Sequence, residues 1–240
     1  MKESKKVLVI QHTDKESLGI IGVQLLNYGI DYSYIKPFYG EDLPLDVNMF
    51  SGLIILGGPQ SAYQEKEFPY LAKEKDFIKK AIDENIPILG ICLGSQLLAE
   101  ILGSKVSSGP KMRIGWEPVE LSQLFVNNYI NQADIKITIQ PLHWHKDIFE
   151  LPPQASQIAS SKNTKVEGFI WRTNVWGLVF HLEADLTQIE EMANTFKQDL
   201  LDAGISSTKL LELTHQYLNE SNQVGKSVFS SWIHLLDGNK

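Results

Sequence analysis

The chain reads Pro87-Ile88-Leu89-Gly90-Ile91-Cys92-Leu93-Gly94-Ser95-Gln96 where a short apolar run meets a segment with the character of a helix, residues 97–102. Glycines stand two residues before and two residues after the sole cysteine. This is the cysteine version of the Gly-x-Ser-x-Gly nucleophile elbow, a sharp turn from strand to helix. Glycine is expected at both places because the backbone approaches itself too closely there for a Cβ atom. The helix N-terminus would favour the thiolate of Cys92, so the pattern favours a nucleophile over a buried structural thiol.

Upstream of the elbow, continuous apolar runs alternate with segments whose apolar residues recur at the helical period. Such runs are typical of strands covered on both faces, and their alternation with helices indicates βαβ units and a parallel sheet. The predicted elements are strands at residues 7–10, 32–35 and 52–56 and helices at residues 16–28 and 68–84.

Downstream of Gly103, strand-like segments follow one another without long helices between them. They predict additional antiparallel strands at the sheet edge or in a small side sheet. These strands are expected at residues 116–121, 135–139, 157–160, 166–171 and 175–181.

From residue 186 the pattern is helical again, with capping-box chemistry at Asp185 and Gln188 and two further helices predicted at residues 208–219 and 223–236. The last two are expected to cover the core. We therefore expect one α/β domain over residues 1–240, with an open, mostly parallel sheet, helices on both faces and a helical C-terminal extension over residues 186–240.

Composition restricts the class of protein. The 240 residues are 43% hydrophobic and 21% charged, which is ordinary for a globular protein, and the net charge of −7 argues against non-specific binding to nucleic acid or anionic membranes. A single cysteine cannot form an intrachain disulfide, which fits a reducing compartment. The apolar run at residues 7–10 is too short for a signal-peptide core, so a cytoplasmic location is expected. Neither a Rossmann nor a Walker nucleotide-binding fingerprint occurs.

A cysteine nucleophile needs a base, usually histidine, and a third group that orients the base. His181 ends the apolar run at residues 177–181, at the carboxyl edge of a predicted strand, where open α/β sheets place their sites. Glu183 lies two residues on, so its carboxylate can hold the imidazole in the productive tautomer. His12 also follows a strand and is the weaker candidate, whereas His215 and His234 are expected on surface helices.

Two further patterns bear on the site. His143 and His145 could share a metal ion, but the sequence offers no second ligand cluster, so we expect no metal and interpret this segment as a loop that shapes the pocket. The turn Gly57-Gly58-Pro59 ends a strand that is expected beside the elbow strand. Gly58 N–H and Leu93 N–H could then form an oxyanion hole.

The blocks Gly57-Gly58-Pro59-x-Ser61, Gly90-Ile91-Cys92-Leu93-Gly94-x-Gln96 and Phe180-His181-x-Glu183 resemble the signatures of class I, triad-type glutamine amidotransferases. The segments Ile114-Gly115-Trp116-x-Pro118-Val119 and His143-Trp144-His145-x-Asp147 are similar to the stand-alone, GMP-synthase-like branch. The similarity covers residues 7–185. It implies a flavodoxin-like fold, no cofactor and hydrolysis of a γ-glutamyl amide, most simply glutamine.

The resemblance also implies roles for individual residues. Cys92 would form a γ-glutamyl thioester, with His181 as acid and base and Glu183 orienting it. Gly58 and Leu93 would bind the oxyanion. Substrate would be held by Gln96 and by the backbone near Trp144.

Three positions depart from the family pattern. Leu182 replaces the proline of His-Pro-Glu, which would loosen the turn of the triad. Lys146 replaces the glycine of His-Gly-Asp, and Arg113 replaces an acidic residue before Ile-Gly-Trp. Lys146 and Arg113 would suit a larger anionic substrate.

Several functions stay open at this point. A glutaminase would deliver ammonia to a separate synthetase, because the chain has no fingerprint for activating an acceptor itself. A γ-glutamyl peptidase would instead cleave γ-glutamyl peptides without a partner. A non-catalytic flavodoxin-like binding or regulatory module is disfavoured because cysteine, histidine and glutamate are all present. Other cysteine-elbow hydrolases or chaperones are disfavoured because no histidine follows Cys92 closely.

Overall fold

The structure is a computed structural model that describes residues 5–130 and 136–237. Its strands are β1 (Lys6–Ile10), β2 (Asp31–Ile35), β3 (Gly52–Ile55), β4 (Ile88–Ile91), β5 (Val106–Trp116), β6 (Val119–Leu121), β7 (Thr138–Ile139), β8 (Leu142–Phe149), β9 (Ala155–Ser160), β10 (Gly168–Trp171) and β11 (Val175–Leu178). Its α-helices are α1 (Ile20–Asn27), α2 (Tyr70–Asp83), α3 (Leu93–Ile101), α4 (Gln123–Tyr129), α5 (Leu186–Thr195), α6 (Lys197–Ala203) and α7 (Ser207–Leu235).

Within these residues, the main sheet runs in the order β2-β1-β3-β4-β11-β10-β9-β6-β7. The half that contains β2, β1, β3, β4 and β11 is parallel, and the remaining pairings are antiparallel. A separate antiparallel pair, β5 with β8, packs beside it. The predicted α/β fold of flavodoxin-like type, with added antiparallel strands, is therefore confirmed.

Both faces of the sheet are covered at its centre, which explains why β1, β3 and β4 are continuous apolar runs. Successive side chains of β1 alternate between two buried layers: Val7 and Val9 pack in the layer that contains α1 and α7, and Leu8 and Ile10 pack in the layer of α2 and α3. A third cluster joins the β5–β8 pair to α5, α6 and α7. None of the helices in the described ranges combines the length and apolarity that a membrane span requires.

Helix boundaries differ from the prediction at two informative places. The first helix begins at Ile20, not at Glu16, because Gly19 adopts φ +48° and breaks the pattern. A Cβ atom on Gly19 would collide with the carbonyl oxygen of Glu183. Residues 11–19 therefore form a loop, and this loop runs against the backbone that follows β11.

The two predicted C-terminal helices are one helix, α7, of 29 residues. The polar residues between the two predicted segments do not break a helix, and Gly225 is tolerated because it permits close packing. A Cβ atom there would lie 2.6 Å from the carbonyl oxygen of Leu182. Trp232 and Ile233 are buried, so the prediction that this segment covers the core is confirmed.

Three smaller differences concern the second half. The segment His143–Asp147 lies within strand β8 and is not a loop. Helices α4 and α6 were not predicted as separate elements, and the strand predicted at 135–139 reduces to Thr138–Ile139, with residue 135 outside the described residues. The predicted cap of α5 is confirmed, since the Asp185 carboxylate accepts from Gln188 N–H at 2.9 Å.

Candidate active site

The elbow is formed as predicted, by β4 running into α3 through Cys92. Cys92 has φ +49°, a strained conformation for a residue with a side chain, and such strain is concentrated at functional sites. Neither Gly90 nor Gly94 has room for a Cβ atom. A Cβ atom on Gly94 would collide with the carbonyl of Ile55, and one on Gly90 would lie 2.6 Å from the Gly94 carbonyl. The turn therefore holds the cysteine directly before the first residue of the helix.

The thiol of Cys92 is buried, and its Sγ lies 3.5 Å from the carbonyl oxygen of Trp144, to which the thiol donates. Burial raises the pKa of Cys92, and the neighbouring His181 opposes that effect. Desolvation therefore favours the neutral thiol of Cys92 and opposes the helix N-terminus, which favours a thiolate.

His181 and Glu183 follow β11 and form a tight pair. Nδ1 of His181 lies 2.6 Å from Oε1 of Glu183, while Oε2 accepts from the backbone N–H of Leu182 at 3.0 Å. The backbone of His181 is fixed by exchange of hydrogen bonds with Leu142 at the start of β8. His181 and Glu183 are therefore held from both sides, and Leu182, which stands where the family has proline, contributes a backbone N–H to this turn.

The free side of the imidazole faces the nucleophile. Nε2 of His181 is buried and has no hydrogen-bond partner among the described residues. Burial by itself would lower the pKa of His181, but the Glu183 carboxylate and the Cys92 thiol outweigh it and raise this pKa well above its ordinary value. The raised pKa makes the neutral ring a stronger base, and its unpartnered Nε2 is the atom at which a proton could enter or leave.

The turn Gly57-Gly58-Pro59 lies beside the elbow because β3 and β4 are parallel neighbours, with Ile55 paired to Gly90. This confirms the predicted adjacency of the two strands. Gly58 lines the same cavity as Cys92. Leu93 is the first residue of α3, where backbone N–H groups have no acceptor within the helix. The structure thus brings Gly58 into the cavity that Cys92 lines and places Leu93 directly after Cys92.

His12 is not available as an alternative base. Its Nδ1 lies 3.2 Å from the carbonyl oxygens of Leu56 and Gly57, and its Nε2 lies 3.0 Å from both carboxylate oxygens of Glu74. Burial would lower its pKa, but Glu74 outweighs this and the pKa of His12 is raised. With acceptors at both nitrogens, His12 is an imidazolium that braces the Gly57–Gly58 turn. His215 and His234 are exposed on α7, as predicted.

The candidate substrate residues lie at the cavity wall. Gln96 stands one turn into α3, and its Nε2 lies 3.5 Å from the carbonyl oxygen of Asp147 on β8. Trp144 presents its backbone carbonyl to Cys92, and its indole N–H donates to Asp199 on α6 at 3.2 Å. The backbone carbonyls of strand β8 therefore contact Cys92 and Gln96 at the cavity wall.

The cavity in front of Cys92 has a volume of about 700 Å³. Its wall combines backbone groups of the two glycine turns with charged residues of both signs. Lining residues that carry charge are Glu16, Lys111, Lys146, Asp147, Asp199 and Asp202. Lys146 is exposed at the rim, so it can meet a substrate as expected.

Arg113 does not line this cavity, which corrects the expectation that it would meet substrate. It is buried, with Nη1 2.6 Å from Oε1 of Glu167 and Nη2 2.9 Å from Oε2 of Glu117. The strand register explains this, since Arg113 pairs with His145 across β5 and β8. Because two carboxylates of the protein bind the guanidinium, it is not available to a substrate.

Glu167 is a residue that the sequence analysis missed. Together with His143 and His145 it forms a buried group whose ligand atoms all lie within 4.8 Å of one another. Sequence reasoning found no third metal ligand because Glu167 belongs to a different segment. However, Oε1 of Glu167 is bound by Arg113, whose positive charge opposes a cation there. Burial lowers the pKa of His145 to about 3 and that of His143 well below its usual value, so both rings are neutral.

Known proteins resemble this chain over most of its length. The sequence profile of the family described as glutamine amidotransferase class-I matches residues 17–199. The chain is 30% identical over 202 residues to the glutamine amidotransferase-like protein YfeJ of Salmonella typhimurium, covering 82% of this chain and 84% of that protein. It is 32% identical over 156 residues to a subunit of the glutamine-hydrolyzing GMP synthase of Sulfolobus acidocaldarius, covering 63% and 78% of the two chains.

Two further similarities concern function and fold. Gamma-glutamyl peptidase 4 of Arabidopsis thaliana is 30% identical over 142 residues, which cover 58% of this chain and 55% of the peptidase. The crystal structure of a glutamine amidotransferase from Thermotoga maritima superposes with a TM-score of 0.87 at 28% identity, covering 96% of this chain and 99% of that one.

Proposed function

Because the chain belongs to the class I glutamine amidotransferase family, we propose that it hydrolyses a γ-glutamyl amide, most simply glutamine to glutamate and ammonia. One observation carries the proposal. In a single buried site, His181 is bound through Nδ1 to Glu183 at 2.6 Å and keeps Nε2 unpartnered beside Cys92. This is the arrangement that an acyl-transfer triad requires, with cysteine in place of serine.

The first half of the reaction forms a thioester. Cys92 turns its Sγ from the Trp144 carbonyl toward His181, which takes the thiol proton at Nε2 while the sulfur attacks the amide carbon. The oxyanion accepts hydrogen bonds from the backbone N–H groups of Gly58 and Leu93, each worth about 2.7–4 kcal/mol in the transition state. His181 then gives its proton to the nitrogen, the C–N bond breaks and ammonia or an amine departs.

The second half is hydrolysis. His181 takes a proton from water, whose oxygen attacks the thioester carbon, and the proton returns to the sulfur of Cys92 as glutamate leaves. Glu183 stabilises the imidazolium in both halves through the Nδ1 hydrogen bond. Gln96 and the backbone around Trp144 hold the amino-acid end of the substrate, which places the γ-carbonyl at the elbow.

The cavity favours γ-glutamyl peptides as a second candidate substrate class. A volume of about 700 Å³ falls in the range of pockets for drug-sized ligands, about 300–1,000 Å³, and exceeds what one amino acid fills. Lys111 and Lys146 line it and would attract the carboxylate of a residue attached through the γ-amide. The similarity to a γ-glutamyl peptidase supports the same alternative.

A partner follows from the glutaminase form of the proposal. Ammonia needs an activated acceptor, and the chain has no nucleotide-binding fingerprint with which to activate one. The Sulfolobus relative is named as one subunit of a GMP synthase, which supports a separate synthetase as the recipient.

A nucleophilic thiol must also stay reduced, so we place the protein in the cytoplasm.

Kinetics of glutamate release test the proposal. Wild type and Cys92→Ser are compared with glutamine and with γ-glutamyl dipeptides. Release by the wild type that the variant lacks supports hydrolysis at Cys92, and the ratio of kcat/KM values decides between the two substrate classes. If the folded wild type releases no glutamate from either class, the proposal is wrong.

A further inference from the structure

Glu16 is an acidic side chain in the cavity wall that the triad mechanism does not use. It lies in the loop between β1 and α1, is 6% exposed and lines the cavity together with Cys92. Its Oε2 is fully buried and has no hydrogen-bond partner among the described residues. A buried carboxyl oxygen without a partner is costly, so it needs a partner that the protein itself does not provide.

Glycine at position 57 makes room for this carboxyl beside the nucleophile. A Cβ atom on Gly57 would collide with Oε2 of Glu16 and would lie 3.2 Å from Cβ of Cys92. The carboxyl thus occupies the space between the oxyanion turn and the elbow. The next glycine of the turn, Gly58, lines the same cavity.

Two of the charged groups that act on Glu16 belong to the proposed triad. The pKa of Glu16 is raised above its ordinary value, chiefly by burial; the charge of Glu183 adds to this, and the charges of His181 and His12 oppose it. A protonated His181 therefore favours the carboxylate form of Glu16. That is the state in which His181 is ready to protonate a leaving group.

The chemistry of an amide substrate limits what Glu16 could meet there. With the γ-carbon on Sγ of Cys92 and the oxygen on Gly58 and Leu93 N–H, the one remaining polar atom of the reacting group is the nitrogen. An amide or amine nitrogen is a hydrogen donor, whereas a carboxylate only accepts. Oε2 of Glu16 is an acceptor without a partner among the described residues, and the N–H of the leaving nitrogen is a donor without one, so the two are complementary.

We propose that Glu16 accepts a hydrogen bond from the N–H of the leaving nitrogen and so turns the nitrogen lone pair toward Nε2 of His181. This inference rests on the proposed amide hydrolysis. In the tetrahedral intermediate, the proton moves from His181 to that lone pair, the electron pair of the C–N bond leaves with the nitrogen, and the thioester forms. Glu16 gains and loses no proton in this step. Ammonia and a peptide amine both have the N–H that the contact needs.

A matched amide and ester test this contact, because an ester oxygen has no hydrogen to donate. The rate kcat/KM is measured for γ-glutamyl dipeptide and for the γ-methyl ester of glutamate with wild type, Glu16→Gln and Glu191→Gln. Glu191 is an exposed glutamate on α5 and serves as the matched control. Both substrates acylate the same cysteine, so the comparison isolates the leaving group.

For Glu16→Gln we expect kcat/KM for the amide to fall roughly tenfold or more, and kcat/KM for the ester to change less than about twofold. Glu191→Gln should match wild type on both. An equal fall on both substrates, or no fall on either, in a variant with wild-type urea unfolding overturns the role of Glu16. A wild type that cleaves neither these two substrates nor glutamine overturns the proposed function, and this inference with it. The wild type alone therefore tells the two failures apart.

Discussion

The backbone N–H of Leu182 donates a hydrogen bond to Oε2 of Glu183 at 3.0 Å, while Oε1 of the same carboxylate binds Nδ1 of His181. Both oxygens of the orienting carboxylate are thereby fixed. A proline at position 182, as in the His-Pro-Glu signature, has no N–H and could not make this bond. The departure from the signature therefore adds a support to the triad.

We predict that Leu182→Pro lowers kcat/KM by roughly tenfold or more, because a hydrogen bond to a charged group is worth about 1.5–3 kcal/mol. Leu182→Ala keeps the N–H and is the control, since it removes only the buried side chain. It should lower the free energy of unfolding by about 2–5 kcal/mol yet leave kcat/KM of the folded fraction near wild type. Equal loss of kcat/KM in both variants would contradict a role for the N–H.

The elbow glycines make a stability prediction. Gly94→Ala should lower the free energy of unfolding by more than about 3 kcal/mol, because its Cβ would collide with backbone of β3 and not with a flexible side chain. Gly40→Ala is the control: it has φ +82° with open space around it, so only the left-handed penalty of about 1–2 kcal/mol applies. Urea unfolding compares the two, and equal costs would show that no collision exists.

The Arg113–Glu167 pair should be strongly coupled. Arg113→Met leaves the Glu167 carboxyl buried without its cation, so it should cost about 3–5 kcal/mol in unfolding free energy. Glu167→Leu should cost less, because Arg113 keeps Glu117, and the double variant should cost less than the sum of the two. A double-mutant cycle by urea unfolding measures this coupling. Additive costs would mean that the ion pair, 2.6 Å long, contributes no interaction energy.

His145 should make the protein acid-sensitive. Its pKa is about 3 in the folded state against 6.5 as a free side chain, so the unfolded state binds more protons between these values. Stability should therefore fall as pH falls from 6.5 toward 3, by up to about 1.36 kcal/mol per pH unit from this group. His145→Gln should flatten that slope, and His215→Gln, on the exposed surface of α7, should not. Unchanged slopes in both would contradict the assignment.

The residues of the proposed triad could be picked out from the sequence because their signals are local. Cys92 carries flanking glycines at fixed spacing, and His181 and Glu183 are two residues apart at the end of an apolar run. The parallel order of β1, β3 and β4 also follows from the alternation of strands and helices. Such features depend on the backbone within one turn or one strand.

Other parts of the site depend on contacts between distant segments and left no such signal. Glu74 lies on the amphipathic helix α2 and contacts His12, which follows β1. Glu167 precedes β10 of the main sheet and contacts Arg113 on β5 of the smaller sheet. Glu16 looked like the first residue of a helix, because the sequence does not show that Gly19 takes φ +48°. The support from Leu182 is a backbone N–H, which no side-chain pattern reveals.

The most direct test of the central claim, a glutamine-type cysteine nucleophile at residue 92, is covalent trapping. Wild type and Cys92→Ser are incubated with the glutamine analogue 6-diazo-5-oxo-norleucine, and intact mass is measured. The account predicts one adduct on the wild type and none on Cys92→Ser, with protection by excess glutamine or γ-glutamyl dipeptide. An adduct that persists in Cys92→Ser, or a folded wild type that stays unmodified, would contradict it.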